Sequence, residues 1–182
     1  MINRVKFFDG YRDSFGKLTQ KQLNAIEFLL TKLDESERFE LASEYAYILA
    51  TVKHETAETY LPIREYGKGA GRSYGRPKAN GNVYYGRGYV QITWDYNYKK
   101  LGKILNVPLY EKPDLALVPE IAYNILEYGM FYGYFTGKRL NDYVNENESN
   151  YYSARKVING LDKAELIKGY AEKFYNVIYF DN

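Results

Sequence analysis

The chain has 182 residues, with 25 Lys or Arg against 23 Asp or Glu, so its net charge of +2 is nearly balanced. That length suits a single domain over 1–182, an apolar share of 46% excludes disorder and a coiled coil, and the balanced charge gives no bulk argument for nucleic acid. The absence of cysteine excludes a disulfide framework and a thiol nucleophile, and one histidine, His54, leaves little for zinc chemistry.

The opening Met1-Ile2-Asn3-Arg4-Val5-Lys6 has no apolar run suited to a secretory signal, and no stretch approaches the ~20 apolar residues of a membrane span, so no stable membrane insertion is expected. The first clear helix begins near Thr19, where Thr19 and Gln22 form a capping-box pattern with Leu18 and Leu23 as its staple. Leu23, Ile26, Leu29, Leu30 and Leu33 continue it at helical spacing. A second helix is expected from about Phe39 to Thr56, with Ala42, Tyr45, Ala46, Leu49 and Val52 on its buried face and His54-Glu55-Thr56 at its end.

Between Pro62 and Gly81 the apolar period disappears. Gly67, Gly69, Gly71 and Gly75 alternate with five basic residues, Arg64, Lys68, Arg72, Arg76 and Lys78, against the single acid Glu65. This reads as a surface loop. A phosphate-cradle reading fails, because no strand precedes the glycines and no GKS or GKT ending follows. Tyr84 to Ile92 reads as a short extended segment leading into a helix from about Thr93 to Leu105. Pro119 sits where the first turn of another helix tolerates it, and Ile121, Ala122, Ile125, Leu126 and Met130 mark that helix's buried face. Asn145 to Asn150 is a polar turn, and a short helix is expected to end at Asn159-Gly160. Asp162 and Glu165, with Leu161 and Leu166 as a staple, are expected to open the last helix. At least five helices and almost no strand signal give a mainly α fold.

Two acids flank the basic loop. Glu55 ends an apolar helix, where desolvation can hold a carboxyl protonated, and Glu65 lies in a wetter, cation-rich segment where a carboxylate stays ionised. That split is what glycoside hydrolysis needs: one acid for the leaving oxygen and one base for water. Glu58, one helical turn from Glu55, competes for the second role. His54 reads as structural. The chain's 22 tyrosines suit core packing and carbohydrate equally, but the compressed run Tyr84-Tyr85-Gly86-Arg87-Gly88-Tyr89 does not follow a core period. After it, Gln91, Thr93 and Asn97 offer neutral donors and acceptors suited to sugar hydroxyls, acetamido groups or a held water.

His54-Glu55-Thr56, the run from Tyr84 through Gln91, Thr93 and Trp94 to Tyr98, and Val157-Ile158-Asn159-Gly160 together resemble glycoside hydrolase family 19, which holds class I-type chitinases and many bacteriophage endolysins. The resemblance implies a mainly α, two-lobed lysozyme-like fold with a central cleft and little strand. It implies Glu55 as general acid, Glu65 as general base and Thr93 as a holder of the attacking water. Gln91, Tyr96, Asn97 and Asn159 match substrate-cleft positions. It further implies inversion at the anomeric carbon, with no metal or organic cofactor. The arginine that many relatives carry in their last helix has no clear counterpart near Lys168.

The expected substrate is bacterial peptidoglycan, cut at its β-1,4 bonds as by a muramidase or lysozyme, with chitin as the alternative and a non-catalytic carbohydrate-binding module as a remote one. Two features favour peptidoglycan. The chain's start lacks an export signal, as in an endolysin made in the host cytoplasm that reaches the wall through a pore. The basic loop beside Glu65 also suits a polymer bearing peptide carboxylates. A monomer with no nucleic-acid partner is expected.

Overall fold

The computed structural model describes residues 1–181, and helix dominates it. In chain order the helices are α1 (Arg4–Phe15), α2 (Gln20–Asp34), α3 (Ala42–Glu55), α4 (Asp95–Leu105), α5 (Pro119–Tyr132), α6 (Tyr151–Ala154) and α7 (Ala164–Tyr175). Two short strands, β1 (Ile63–Arg64) and β2 (Arg87–Gly88), pair antiparallel with Ile63 opposite Gly88 and Arg64 opposite Arg87. The mainly α expectation is borne out.

α3 is the centre of the fold. Every residue from Ser43 to Lys53 is buried, so the helix has no solvent face, and it packs chiefly against α7. A helix surrounded on all sides belongs inside a core, which is more than the single buried face its spacing suggested. Its start is capped by Glu44, whose carboxylate accepts the backbone N–H groups of Glu40 and Leu41 at 3.0 and 3.1 Å. Lys53 is also buried. Its ammonium lies 4.9 Å from the Phe15 ring centre and 5.1 Å from that of Tyr170, with a Glu58 oxygen at 3.3 Å. Burial pushes the Lys53 pKa below the usual lysine value, with Glu58 opposing the shift.

The tyrosine excess is largely a core feature. Tyr47, Tyr60, Tyr84, Tyr89 and Tyr98 are fully buried. Most of the buried hydroxyls find partners: Tyr98 donates to the Tyr85 carbonyl at 2.8 Å, Tyr84 to the Tyr110 carbonyl at 2.7 Å, and Tyr11 and Tyr60 share a bond of 2.8 Å. Each such bond contributes roughly 0.5–1.5 kcal/mol net and fixes the ring's position. Burial drives the Tyr45 phenol up to about 12.

The Thr19–Gln22 capping box is present as expected, with the Gln22 N–H on Thr19 Oγ1 at 3.2 Å and the Thr19 N–H on Gln22 Oε1 at 3.0 Å. Two expectations are corrected. α1 is a helix that the apolar spacing did not announce, because it buries only Phe7 and Tyr11; Asn3 caps it by accepting the Lys6 N–H at 2.9 Å. The box proposed at Asp162 and Glu165 does not form. The cap of α7 is Lys163, at φ 60°, and Leu161 and Leu166 are both exposed.

Candidate active site

Glu55 is the last residue of α3, and the chain reverses sharply behind it. Thr56 is fully buried, donates from its hydroxyl to the Val52 carbonyl at 2.7 Å and accepts the Tyr60 N–H at 3.0 Å. Ala57, Glu58 and Tyr60 all take positive φ to complete the turn. The threonine of His54-Glu55-Thr56 is therefore a fixing point for the end of α3. Glu55 Oε1 accepts from Arg155 Nη1 at 2.6 Å, with the glutamate side chain 14% exposed and the arginine 4%. Arg155 opens the 3₁₀ turn after α6 and is held by a second bond, Nε to the Asp162 carbonyl at 3.0 Å. The apolar surrounding expected for Glu55 is corrected: its neighbour is a buried guanidinium. Oε2 makes no hydrogen bond among the described residues, which leaves it the oxygen open to a ligand. Half-burial lowers the His54 pKa, with Glu55 opposing and Arg155 reinforcing, so the imidazole is neutral at pH 7.

The second carboxylate is placed by the small sheet. The β1–β2 pairing sets Glu65 opposite Gly86, with the Glu65 N–H on the Gly86 carbonyl at 2.7 Å and the Gly86 N–H on Glu65 Oε2 at 2.9 Å. Glu65 Oε1 accepts from the Tyr74 hydroxyl at 2.7 Å. Both partners donate and neither is charged, so together they fix the orientation of the carboxylate. Gly86 lets the two segments approach closely: a Cβ on it would come 2.9 Å from Gln91 Oε1 and 3.2 Å from Glu65 Cβ, so both side chains would have to shift.

Arg87 anchors this scaffold. It is 4% exposed and donates from Nε to Asp114 at 2.7 Å and from Nη1 to the Val83 and Tyr85 carbonyls. Arg64 reaches the other oxygen of Asp114 at 2.8 Å. Partial burial works to raise the Asp114 pKa, but hydrogen bonds from Arg64 and Arg87 outweigh it and hold the carboxyl below its usual value. Gln91, at φ 52°, bonds the Ile63 and Gly88 carbonyls through Nε2 at 3.0 and 2.9 Å, bracing β1 against β2.

The glycine-rich loop is shaped by a backbone crossing. A Cβ on Gly75 would lie 1.9 Å from the Gly69 carbonyl oxygen, and one on Gly69 would lie 2.8 Å from Gly75 Cα, so neither position admits a side chain. This crossing brings Tyr74 onto Glu65 and sets its ring 5.5 Å from Trp94, edge to face. Two of the five loop cations are neutralised: Arg64 by Asp114 and Lys78 by Asp95 at 3.3 Å. Lys68, Arg72 and Arg76 are exposed and form no ion pair among the described residues.

The expected site residues, with the neighbours that hold them, fall into two groups. Glu65, Tyr74, Gly86 and Gln91 form one, joined through the Tyr74–Trp94 contact to Thr93, Tyr96 and Asn97 at the start of α4. Asn97 Nδ2 donates to the Thr93 carbonyl at 2.9 Å, the Thr93 hydroxyl has no protein partner among the described residues, and Tyr96 stacks on Trp94 at 6.1 Å while remaining exposed. Glu55 and Arg155 form the other, with exposed Asn159 donating its backbone N–H to the Arg155 carbonyl at 3.0 Å. Glu58 joins neither, because it is drawn to Lys53 and, at 3.4 Å, to the Tyr170 hydroxyl of α7.

Sequence reading missed Arg155 and Tyr74. The cation sought near Lys168 is not there, since Lys168 pairs with Glu165 and Glu172 along α7. Arg155 was findable only by its place one helical turn before Asn159.

The family model described as chitinase class I matches residues 3–131. An endochitinase of Arabidopsis thaliana is 42% identical over 82 residues, which are 44% of this chain and 29% of that protein. An inactive chitinase-like protein of Hevea brasiliensis is 42% identical over 45 residues, 25% of this chain and 14% of that one. The chain thus matches less than a third of the length of either relative. A bacterial family 19 chitinase of known structure superposes with a TM-score of 0.54 at 19% identity, covering 93% of this chain and 92% of that one, a likeness of fold. Arg155 and Asn159 lie outside the residues that the family model matches.

Proposed function

The chain belongs to the chitinase class I family of glycoside hydrolases, and from that premise we propose that it cleaves β-1,4 bonds in N-acetylglucosamine polymers, with chitin as substrate. In this reading Glu55 protonates the glycosidic oxygen from Oε2, while Arg155 holds Oε1 and fixes the carboxyl's orientation. Glu65, held by Tyr74 and Gly86, takes a proton from a water that the Thr93 hydroxyl helps to hold on the opposite face of the sugar. The water then attacks the anomeric carbon as the leaving oxygen accepts the proton of Glu55, which inverts the centre. Room for that water requires the two carboxyls to stand roughly 6.5–9.5 Å apart. Gln91 braces the cleft floor, and Tyr96, Asn97 and Asn159 supply sugar contacts.

The observation that carries this reading is that two carboxyls are each held in place by their own scaffold, Glu55 at the end of α3 by Arg155 and Glu65 beside the small sheet by Tyr74 and Gly86. The endochitinase similarity over 82 residues supports chitin. A second reading, peptidoglycan, is favoured by Lys68, Arg72 and Arg76, whose unpaired charges beside Glu65 would attract a polymer carrying peptide carboxylates.

Mass spectrometry of products from chitohexaose and from purified sacculi, digested in parallel, separates the readings. Shorter chito-oligomers are expected. Muropeptides with reducing-end N-acetylmuramic acid, alongside intact chitohexaose, would replace chitin by peptidoglycan. No product from either polymer would leave a carbohydrate-binding module.

A further inference from the structure

One face of α3 carries two hydroxyls that the chemistry above does not use. Tyr47, Thr51 and Glu55 follow one another at four-residue spacing, one helical turn of about 5.4 Å each, so Thr51 stands directly behind Glu55 on the same face. The segment from Tyr151 to Arg155 runs along this face. Tyr151 stacks on Tyr47 with ring centres 6.1 Å apart and planes 8° from parallel, and Arg155 meets Glu55 at 2.6 Å. Along α3, Thr51 lies between those two contacts.

Tyr47 and Thr51 are both 0% exposed, and neither hydroxyl has a hydrogen-bond partner among the described residues. A helical threonine often returns its hydroxyl to the carbonyl four residues back, as Thr31 does to Glu27 at 2.9 Å and Thr56 to Val52 at 2.7 Å; Thr51 does not. Arg155 is buried beside them. It spends Nε on the Asp162 carbonyl and Nη1 on Glu55, and its Nη2 N–H groups have no acceptor among the described residues. The Tyr47 phenol feels this pair: burial pushes its pKa up, Arg155 and then the Thr51 hydroxyl oppose the shift, and Glu55 reinforces it. Buried polar groups are nearly always paired, with protein or with ordered water, and an internal water makes about three hydrogen bonds.

We propose that Tyr47 and Thr51 hold an internal water that also accepts from Arg155 Nη2, which makes them positioning residues for the general acid. The short threonine between two contacts made by long side chains gives room for it. The water accepts from the Tyr47 hydroxyl, donates to Thr51 Oγ1 and braces the guanidinium from behind, so that Nη1 keeps Glu55 Oε1 in one place. The positioning role rests on the reading of Glu55 as the acid; the water does not.

The test begins with a high-resolution crystal structure of the full chain, in which an ordered water within about 3.2 Å of both the Tyr47 and the Thr51 hydroxyl is expected. Hydroxyls bonded to each other with nothing between them would overturn the site. Thr51→Val and Tyr47→Phe then remove one hydroxyl each at nearly constant volume. Each is expected to lower kcat on chitohexaose about fivefold with KM unchanged and to lower Tm by about 2–4 °C, while Thr51→Ser restores kcat. A dry site gives the opposite result, since deleting an unpartnered buried hydroxyl raises Tm and spares kcat. A fall in Tm with kcat unchanged overturns the positioning role and leaves the water structural. If Glu55→Gln retains activity, the reading of Glu55 falls and takes the positioning role with it, whereas the crystallographic water stands.

Discussion

Glu55→Gln is expected to lower turnover of chitohexaose by at least about a hundredfold, since positioned general acids contribute roughly 10²–10⁴ in rate. The substitution keeps the shape of the side chain and the Oε1 acceptor facing Arg155, and it removes only the proton donor and the negative charge. Loss of that charge is felt by Arg155, which is 4% exposed and has no other carboxylate partner among the described residues. A cost of about 1 kcal/mol, or roughly 2–4 °C in Tm, is therefore expected, with an unchanged circular dichroism spectrum. Activity above a few per cent of the native value would remove Glu55 from the mechanism. A spectrum of an unfolded chain would instead mean that the ion pair carries the fold.

The second large effect is expected at Glu65. In Glu65→Gln the new amide NH₂ cannot face the Gly86 N–H, donor against donor, so it must turn to Tyr74, and no group remains to take the proton of water. Turnover should fall on the order of 10²-fold or more while Tm moves little, because the loop is exposed. Glu58→Gln is the matched control. Glu58 is occupied by Lys53 and Tyr170 away from the Glu65 group, and its replacement should keep turnover within about twofold. The reverse pattern, activity lost at Glu58 and retained at Glu65, would assign the second carboxylate to Glu58.

Much of this fold is legible in the order of residues, and the exceptions have physical causes. α2, α4 and α5 announce themselves by spacing and by Thr19 and Pro119 at their starts. α1 does not, because two buried aromatics on a polar helix leave no periodic stripe. α7 misleads because Asp162 and Glu165 spell a cap that the chain declines in favour of Lys163. The site divides in the same way. Glu55, Glu65 and Thr93 sit in or beside linear motifs. Tyr74 reaches Glu65 only because Gly69 and Gly75 let two stretches of backbone cross, a contact that glycine spacing alone does not encode. Arg155 meets Glu55 across a hundred residues of chain, and its partner is fixed only when α6 docks beside α7.

The central claim is a single displacement in which water, activated by Glu65, attacks opposite the oxygen protonated by Glu55. Real-time proton NMR of chitohexaose cleavage reads it directly, because the anomer formed at the newly exposed reducing end is visible before mutarotation. The α anomer is expected first. Initial formation of the β anomer would mean retention, and with it a covalent or substrate-assisted path that this pair of carboxylates does not perform.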